Sequence, residues 1–581
     1  MPVVVRSRRR WPWALVVLVV IGWIGAVGVT LLRVNRHVRD GVAAVSAAQG
    51  RLDAATISDP QSPDLLAPVV AAFGAAHRDL DSPLLAPIRF LPVAGRQLRA
   101  VRNLAAAAQQ VGSIGQAAIV RARAALRAPH ATGPDRVAAI DALAAAAGDA
   151  DSRLAQVSLG SRSALFGFVG RRYDDFARRL AKVKVGVHKG AVAAKETAAL
   201  LRGPSHLLLL AANNAEMRDG SGMFLSATQV DIVGGSMKIG QVYDTGQIAL
   251  SPGAVPLTGG YATVWGPYLA NEEWRNLGMS ASFDETAALA ARMWKARSGV
   301  DVDGVLAIDI AGLRMLLAGT GAVDASGTLV TSDNVVQLLM HDQYLTAASQ
   351  VSSNEARRDQ LGRIADSVVQ AVQRGRFDTG AVAKQLPSIV AGRHLMMWSA
   401  SPPSEAAWQA AGVGGALGGD TLLAAVQNMG ANKLDQFASL TTDVHVGAGT
   451  PSPVTVVLHI ANHTPAGQPP YIAGVGIAGV PPNTYLALAT LTMPGDAEHV
   501  LVDGAAVANN SGLDGLTRVV AAIRTLAPGS SVDVTVTFSL PGPHGRLQVE
   551  SAARIPAATI SVRSPAATRS GADELRPLVA W

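Results

Sequence analysis

The densest group of polar side chains directly follows an apolar segment, residues 206–210, that has the length of a buried strand. Ligands of open α/β sheets bind at strand ends. Arg218 offers a planar fork suited to phosphate or carboxylate, and Gly220 and Gly222 allow backbone N–H groups to approach an anion. We predict a ligand-binding turn, with a capped, solvated turn as the alternative. Its proposed binding residues are Asn213, Asn214, Glu216 and Arg218.

Two smaller groups also carry side chains that could bind a ligand. Asp244 ends the third predicted strand, and its carboxylate could hold a divalent cation. A lone acid in that position is also an ordinary turn residue. Trp274 and Arg275 lie together in a predicted loop, where an aromatic ring beside a guanidinium suits the edge of a polar substrate; packing of Trp274 in the core is the alternative.

A predicted amphipathic helix, residues 355–374, carries Arg357, Arg358 and Gln360. Arg357 and Gln360 are three residues apart and share a helix face, so both can point into one pocket. Solvated surface charge is the alternative. The sequence contains none of the familiar catalytic or nucleotide-binding motifs. The absence of cysteine excludes thiol nucleophiles, thiolate metal sites and disulfides.

The first forty residues predict a membrane anchor. Residues 11–32 contain no charge and form about 33 Å of helix at about 1.5 Å per residue, enough to cross a hydrocarbon core of roughly 30 Å. The uncharged run is longer than the apolar core of a cleaved signal peptide, which is the alternative. We therefore predict a transmembrane helix over residues 11–33.

An arginine cluster in residues 1–10 precedes this helix and favours a cytoplasmic N-terminus. Arg33, Arg36 and Arg39 follow the helix and weaken the contrast. We predict a plasma-membrane protein with a single span, a short basic tail inside and the bulk of the chain outside the cytoplasm. The net charge of +7 comes from basic residues spread along the chain, so we predict no nucleic-acid partner.

Composition divides the remainder into three regions. Residues 34–202 are rich in alanine, with apolar residues at helical spacing, and predict a helical bundle. Residues 203–440 alternate strand-like and helical segments, which indicates an α/β domain. Residues 441–563 contain short strands bounded by proline and glycine, which favours a β-sandwich of immunoglobulin-like type with one helical interruption, residues 516–526. Residues 564–581 are predicted to form a flexible tail.

The segment Leu208-Leu209-Leu210-Ala211-Ala212-Asn213-Asn214-Ala215-Glu216-Met217-Arg218, together with Pro92-Val93-Ala94-Gly95-Arg96, resembles the DUF4012 family of anchored envelope proteins, a domain of unknown function. The order of strands, the Asp244-Thr245 pair and the segments 302–309 and 316–321 also resemble, more distantly, the LytR-CpsA-Psr domain. That domain transfers glycopolymers from polyprenyl pyrophosphate carriers to the cell wall.

The distant resemblance implies roles for particular residues. Arg357, Arg358 and Gln360 match the helix motif that grips the pyrophosphate, and Asp244 matches the aspartate of an Arg-Asp pair. Tyr243 stands where that pair has arginine, and Asn213 stands near the position of an expected aspartate. A neutral amide in place of a carboxylate weakens Mg²⁺ binding.

These expectations lead to one function with two alternatives. We expect an anchored envelope protein whose α/β domain binds a polyprenyl-phosphate-linked or anionic glycopolymer. The first alternative is an active phosphotransferase that uses Mg²⁺, and the second is a non-catalytic structural or interaction protein of the envelope.

Overall fold

The computed structural model describes residues 11–49, 51, 64–128, 130–325, 327–345, 364, 367–371, 373–374, 377–474, 479–507, 511–542 and 545–580. The chain divides into two units. We call residues 1–128 with 140–195 the helical unit, and residues 129–139 with 196–581 the sheet unit.

Long helices make up the described part of the helical unit and confirm the prediction of a helical N-terminal region. Alanine has high helix propensity and little bulk, so such helices can pack closely. Val34, Ala76, Leu80 and Ala105 form part of a shared core. The helices are α1 (Trp11–Gln49), α2 (Ala67–Leu80), α3 (Ala94–Arg127), α4 (Gly133–Ala155) and α5 (Gly167–Arg202), with the turns Pro83–Leu85 and Ala86–Arg89 between α2 and α3.

Helix α1 is long and apolar enough to cross a membrane. Leu18, Ile21 and Leu32 are exposed on its surface, as expected of side chains that face lipid. The helix does not stop at the predicted end of the span, residue 33, but continues unbroken to Gln49. The apolar stretch is therefore the first part of one continuous helix.

A mixed six-stranded sheet begins the sheet unit. Its order is β3-β2-β1-β5-β8, and β4 also pairs with β2. Strand β1 is antiparallel to β2 and parallel to β5. The strands are β1 (Ser205–Arg218), β2 (Ser221–Val233), β3 (Ser236–Ile239), β4 (Tyr243–Asp244), β5 (Gly304–Ile308) and β8 (Leu395–Ser399), and the small hairpin β6 (Val323–Ala325) and β7 (Thr328–Val330) lies apart.

Helices accompany this sheet, as the alternating sequence pattern predicted. Residues of α7 contribute to the core that also contains Leu208 and Leu210 of β1. The helices are α6 (Gly259–Trp265), α7 (Phe283–Ser298), α8 (Ile310–Thr320), α9 (Thr379–Ala391) and α10 (Pro402–Ala411). The region is thus mixed α/β.

Strand β1 is much longer than the predicted apolar segment. It continues through Asn213 to Arg218, with register shifts against β2 after Ala211 and after Asn213. The predicted polar turn is therefore wrong: these polar residues belong to the strand. Polar residues remain on a strand here because neighbouring elements satisfy their hydrogen bonds in the buried interior.

Two further sheets follow. One has the order β14-β13-β17-β11-β10-β19-β20 and the other β15-β16-β12-β9-β18-β21, and they share a large apolar core. The strands are β9 (Thr421–Asn428), β10 (Ala438–Val446), β11 (Ser452–Asn462), β12 (Tyr485–Pro494), β13 (Glu498–Val502), β14 (Ala505–Ala506), β15 (Ser511–Asp514), β16 (Thr517–Leu526), β17 (Ser531–Leu540), β18 (Arg546–Val549), β19 (Thr559–Arg563), β20 (Thr568–Ala572) and β21 (Leu578–Ala580).

Three sequence expectations are corrected in this part of the chain. Strand β9 lies in the sheet with β12, so the sheet-rich region begins near residue 421 rather than 441. The predicted helical interruption at 516–526 is strand β16, whose pairing with β12 overrides local propensity. The predicted flexible tail forms β20 and β21, which pair with β19 and β18.

The end of β1 is fixed to the last two sheets by a buried ion pair between Asp435 and Arg554. Asp435 Oδ2 accepts hydrogen bonds from Met217 N (3.0 Å) and Asn428 Nδ2 (2.8 Å), and Oδ1 accepts from Tyr485 Oη (2.6 Å) and Arg554 Nη1 (3.2 Å). Both charged side chains are almost completely buried. One carboxylate thus joins β1, β9 and β12.

We predict that Arg554→Met destabilises the sheet unit strongly, because the substitution leaves the Asp435 carboxylate buried without its cation. Loss of one partner of a buried ion pair costs about 3–5 kcal/mol. Urea unfolding of the detergent-solubilised full chain measures the loss. The matched control is Arg546→Ala, which removes an exposed arginine paired with Asp420 and should change stability by less than about 1 kcal/mol. Equal losses in the two variants would contradict the role given to Asp435.

Candidate functional site

A pocket of about 620 Å³ opens in the sheet unit at the end of β1. It combines charged, amide and aromatic side chains, which is the composition of a site for a polar ligand. The polar and aromatic lining residues are Asn213, Glu216, Arg218, Ser226, Asp244, Gln247, Glu273, Arg275, Asn276, Gln343, Tyr344, Asn428, Lys433 and Tyr471. The structure therefore brings together five of the predicted residues: Asn213, Glu216, Arg218, Asp244 and Arg275.

Arg218 forms a buried wall of the pocket. Its Nη1 donates to the carbonyls of Met217 (2.9 Å) and Asn428 (2.8 Å), and Nη2 donates to Asn276 Oδ1 (3.3 Å). Burial lowers the pKa of Arg218, while the nearby Glu216 carboxylate acts in the opposite direction. Because the guanidinium is held by carbonyl groups, its position is set before any ligand arrives.

Lys433 and two tyrosines form another wall. The rings of Tyr344 and Tyr471 are stacked, with centroids 5.6 Å apart and planes inclined by 18°. The Lys433 ammonium lies 5.6 Å and 5.5 Å from the two ring centroids and pairs with Glu216. Asn213 Nδ2 donates to Tyr344 Oη at 2.6 Å. This wall offers an aromatic face bordered by an ion pair and an amide.

Arg275 and Asp244 lie on the β4 side of the pocket. Arg275 Nε donates to Glu273 Oε1 at 2.9 Å. Burial opposes ionisation of Glu273, but the hydrogen bonds from Arg275 outweigh it and lower the pKa of that carboxyl. Asp244 Oδ1 accepts from Gly246 N at 2.9 Å and caps a short 3₁₀ turn, Thr245–Gln247.

The proposed metal role of Asp244 stays a prediction. Within the part of the chain that the structure describes, no group of three or more His, Asp or Glu side chains is arranged to hold a metal ion. Its neighbours Glu273 and Arg275 are paired with each other. The hydrogen bond that Asp244 accepts from Gly246 N is that of a turn-capping residue, the alternative that the sequence left open.

Asn214 is a structural residue and does not line the pocket. Its Nδ2 donates to Asp309 Oδ2 (2.8 Å) and to the Ala553 carbonyl (2.9 Å), and its Oδ1 accepts from Ile310 N (3.2 Å). Asp309 also caps helix α8 through Ala311 N and Gly312 N. Alternation along β1 explains the difference, since neighbouring side chains point to opposite faces of a strand.

Other predicted site residues also have structural roles. Trp274 is completely buried, and its Nε1 donates to the Ile248 carbonyl at 2.9 Å, so the core-packing alternative is correct. Gly220 N donates to the Gly278 carbonyl at 2.9 Å and is not free for an anion. A Cβ on Gly222 would lie 2.3 Å from the Asn213 carbonyl carbon, so Gly222 serves close backbone packing.

Arg357, Arg358 and Gln360 lie outside the described residues, and their roles stay predictions. In contrast, the structure adds Lys433, Glu273, Tyr344 and Tyr471, which sequence reasoning missed. Lys433 and Tyr471 lie more than two hundred residues after β1 and in no recognised motif. Glu273 could have been selected from the sequence, because it directly precedes Trp274 and Arg275.

His394, which does not line the pocket, forms a buried ion pair with Asp309. Its Nδ1 donates to Asp309 Oδ2 at 2.6 Å, and its Nε2 lies 3.3 Å from Glu574 Oε1. Burial disfavours the imidazolium, but the two carboxylates outweigh burial and raise the pKa of His394 to about 10. The pair connects α8 to β8.

We predict that the sheet unit loses stability as the pH rises from about 7 to 10. A histidine whose pKa is raised on folding from about 6.5 contributes its full stabilisation below about pH 6.5 and loses it as the pH passes the folded value. Urea unfolding across this range should show a weaker dependence on pH in His394→Gln. The control His459→Gln, an exposed histidine 2.6 Å from Asp533, should keep the wild-type slope. A wild-type slope in His394→Gln would refute the prediction.

The comparisons with known proteins identify one family. Residues 202–344 match the model of a family described as "Protein of unknown function (DUF4012)", and neither the curated proteins nor the solved structures gave a match. The matched segment includes Asn213, Glu216, Arg218 and Arg275 of the pocket, whereas Lys433 lies beyond it. The part of the resemblance that lies in β1 is thereby confirmed, and the segment 92–96 lies outside the matched residues.

Proposed function

We propose that this protein is an envelope protein anchored by α1, with its bulk outside the cytoplasm, that binds the sugar residues of a polyprenyl-phosphate-linked or anionic glycopolymer. The supporting observation is the pocket at the end of β1, in which stacked tyrosines adjoin ion pairs and amides. The cell-envelope location, the orientation and an immunoglobulin-like type for the two C-terminal sheets belong to this proposal.

The pocket chemistry suits a sugar ring. A sugar presents apolar C–H groups on one face and hydroxyl groups at its edge, and an aromatic ring can cover the apolar face. Tyr471 is partly exposed in the pocket and Tyr344 lies stacked behind it. Hydroxyl groups both donate and accept hydrogen bonds, so they match mixed acid, amide and cationic partners. Glu216, Lys433 and Arg275 supply such partners at fixed positions.

The charge of the lining indicates which part of the polymer the pocket holds. Three cationic side chains, Arg218, Arg275 and Lys433, are matched by three carboxylates, those of Glu216, Asp244 and Glu273. Two of these cations are already paired with a carboxylate. A balanced lining favours a hydroxyl-rich group over a bare polyphosphate. From the family resemblance, we assign binding of the phosphate part to Arg357, Arg358 and Gln360, which lie outside the described residues.

Phosphotransfer is the second candidate function, because Asp244 lies in the same pocket. It predicts transfer of the phosphoglycan from a polyprenyl pyrophosphate carrier to an acceptor hydroxyl group, with polyprenyl phosphate as the leaving group. The rate should depend on Mg²⁺ and fall strongly in Asp244→Asn, and the polyprenyl phosphate that is released measures it. An unchanged rate in Asp244→Asn would remove Asp244 as the metal ligand. A purely structural role in the envelope predicts neither transfer nor glycan binding.

We predict that Arg275→Ala and Tyr471→Ala each weaken glycan binding by about tenfold, which corresponds to about 1.4 kcal/mol. The first removes the guanidinium beside Glu273, and the second removes the exposed aromatic face. Isothermal titration calorimetry of the detergent-solubilised full chain measures the affinities. The three titrants are an envelope oligosaccharide, polyprenyl phosphate alone and the lipid-linked oligosaccharide.

The control for Arg275→Ala is Arg546→Ala, since Arg546 is also an exposed arginine paired with one carboxylate but does not line the pocket. We expect wild-type affinity in the control and weakened binding of both sugar-containing titrants in the pocket variants. Polyprenyl phosphate alone should be unaffected by Tyr471→Ala. Equal affinity in pocket variants and control would exclude the pocket as the glycan site.

The orientation is tested separately with a tag fused after residue 581. The proposal predicts that an added protease removes the tag from intact cells, because the arginine cluster in residues 1–10 stays inside. A tag that is cleaved only after lysis would place the sheet unit in the cytoplasm and eliminate an exterior glycan as its ligand.

A further inference from the structure

The helical unit exposes large apolar side chains in and next to two of its connecting segments. These are residues 81–93, between α2 and α3, and residues 156–166, between α4 and α5. Phe90 is the most prominent, with 87% of its surface exposed. Exposed apolar groups of this size, close together, usually mark a surface that contacts a partner or a membrane. We call the set the apolar collar; it consists of Leu84, Phe90, Leu91, Val93, Phe166 and Phe168.

The two turns lie at the same end of the helical unit. Gln97 Nε2, in the first turns of α3, donates to the Ala164 carbonyl at 2.9 Å, just before α5 begins. Arg162 Nη1 donates to the Leu165 carbonyl at 2.7 Å and holds the second turn in place. The residues of the apolar collar are therefore contributed to one end of the unit by turns that contact each other.

This end contacts α1 inside its uncharged stretch. Trp23 Nε1 donates to the Leu84 carbonyl at 3.0 Å. Val27 is buried in a cluster that contains Leu80 and Leu85. Trp23 precedes the end of the uncharged stretch, Leu32, by nine residues, which is about 14 Å along a helix.

The length of α1 then indicates how deep Leu84 lies in the membrane. A crossing needs about 20 helical residues, and counted from Trp11 it ends near residue 30. Residues before Trp23 would form only about 18 Å of helix, too short for a hydrocarbon core of roughly 30 Å. Leu84, beside Trp23, therefore lies at the level of the lipid leaflet on the C-terminal side of α1.

Exposed arginines follow both parts of the apolar collar in the sequence. Arg96, Arg99, Arg171 and Arg172 are exposed, and the Arg172 guanidinium lies 5.0 Å from the centre of the Phe168 ring. Arginine side chains extend toward the headgroup region while their stems stay in apolar surroundings, and they are attracted to anionic lipids. Apolar side chains bordered by basic ones are the composition of a surface that lies in a membrane interface.

We propose that the apolar collar is inserted in the lipid leaflet on the C-terminal side of α1, so that the helical unit is held in the membrane at two places and not by α1 alone. The occupant of this surface is the lipid bilayer. The inference rests on the part of the proposed function in which α1 crosses a membrane, and it is independent of the glycan and of the orientation.

Single-cysteine variants test this insertion, since the natural chain contains no cysteine. The full chain with Phe90→Cys or Phe168→Cys is labelled with nitrobenzoxadiazole and reconstituted in vesicles of phosphatidylethanolamine and phosphatidylglycerol. Part of the lipid carries a spin label on its acyl chain, which quenches the fluorophore on contact. Ile21→Cys on α1 is the positive control, and Leu516→Cys, an exposed position of the sheet unit, is the negative control.

We expect the spin-labelled lipid to reduce the fluorescence at positions 90 and 168 severalfold more than at position 516. The reduction should be almost as large as that at position 21. Quenching at 21 with no more quenching at 90 and 168 than at 516 would overturn the insertion while leaving the anchor in place. Blue-shifted emission at 90 without quenching would show a protein cover and would also overturn it. Absence of quenching at 21 would refute the anchor and the insertion together.

Discussion

The buried Asp435 carboxylate joins the end of β1 to two strands of the C-terminal sheets. It is buried with Arg554 and accepts hydrogen bonds from the β1 backbone, the Asn428 amide and the Tyr485 hydroxyl. A buried charge is tolerated only where such partners surround it. The carboxylate therefore holds the end of β1 against β9 and β12, and the position of Arg218, the next residue after Met217, follows from it.

The candidate site lies at this junction. Strand β1 starts among apolar neighbours of the mixed sheet and ends among buried polar groups that belong to the C-terminal sheets. Glu216 pairs with Lys433, which also lies above Tyr344 and Tyr471. Glu216 belongs to β1 of the mixed sheet, whereas Lys433 and Tyr471 belong to segments that connect strands of the C-terminal sheets. The pocket therefore depends on both parts of the sheet unit, and its ion pairs hold the charged side chains in fixed positions.

Local sequence patterns predicted a good part of the fold. The apolar helix α1 and the alanine-rich helices follow from residue type and spacing. The patterns failed where long-range contacts decide. The polar end of β1 resembles a turn, and the segment of β16 resembles a helix, yet pairing with distant strands makes both extended. Strand β9 is buried on both faces and lacks the alternation that would have assigned it to a β-sandwich.

For the site, the sequence selected residues that are close together along the chain, such as Asn213, Glu216 and Arg218, but it could not separate Asn214, whose amide holds Asp309. Lys433 and Tyr471 were missed because only the folded chain brings them to β1.

The most direct test is an experimental structure of the full chain with an envelope oligosaccharide bound. We predict density for a sugar ring against Tyr471, within hydrogen-bond distance of Lys433 or Arg275. Sugar density at another surface, with this pocket unchanged, would contradict the proposed function.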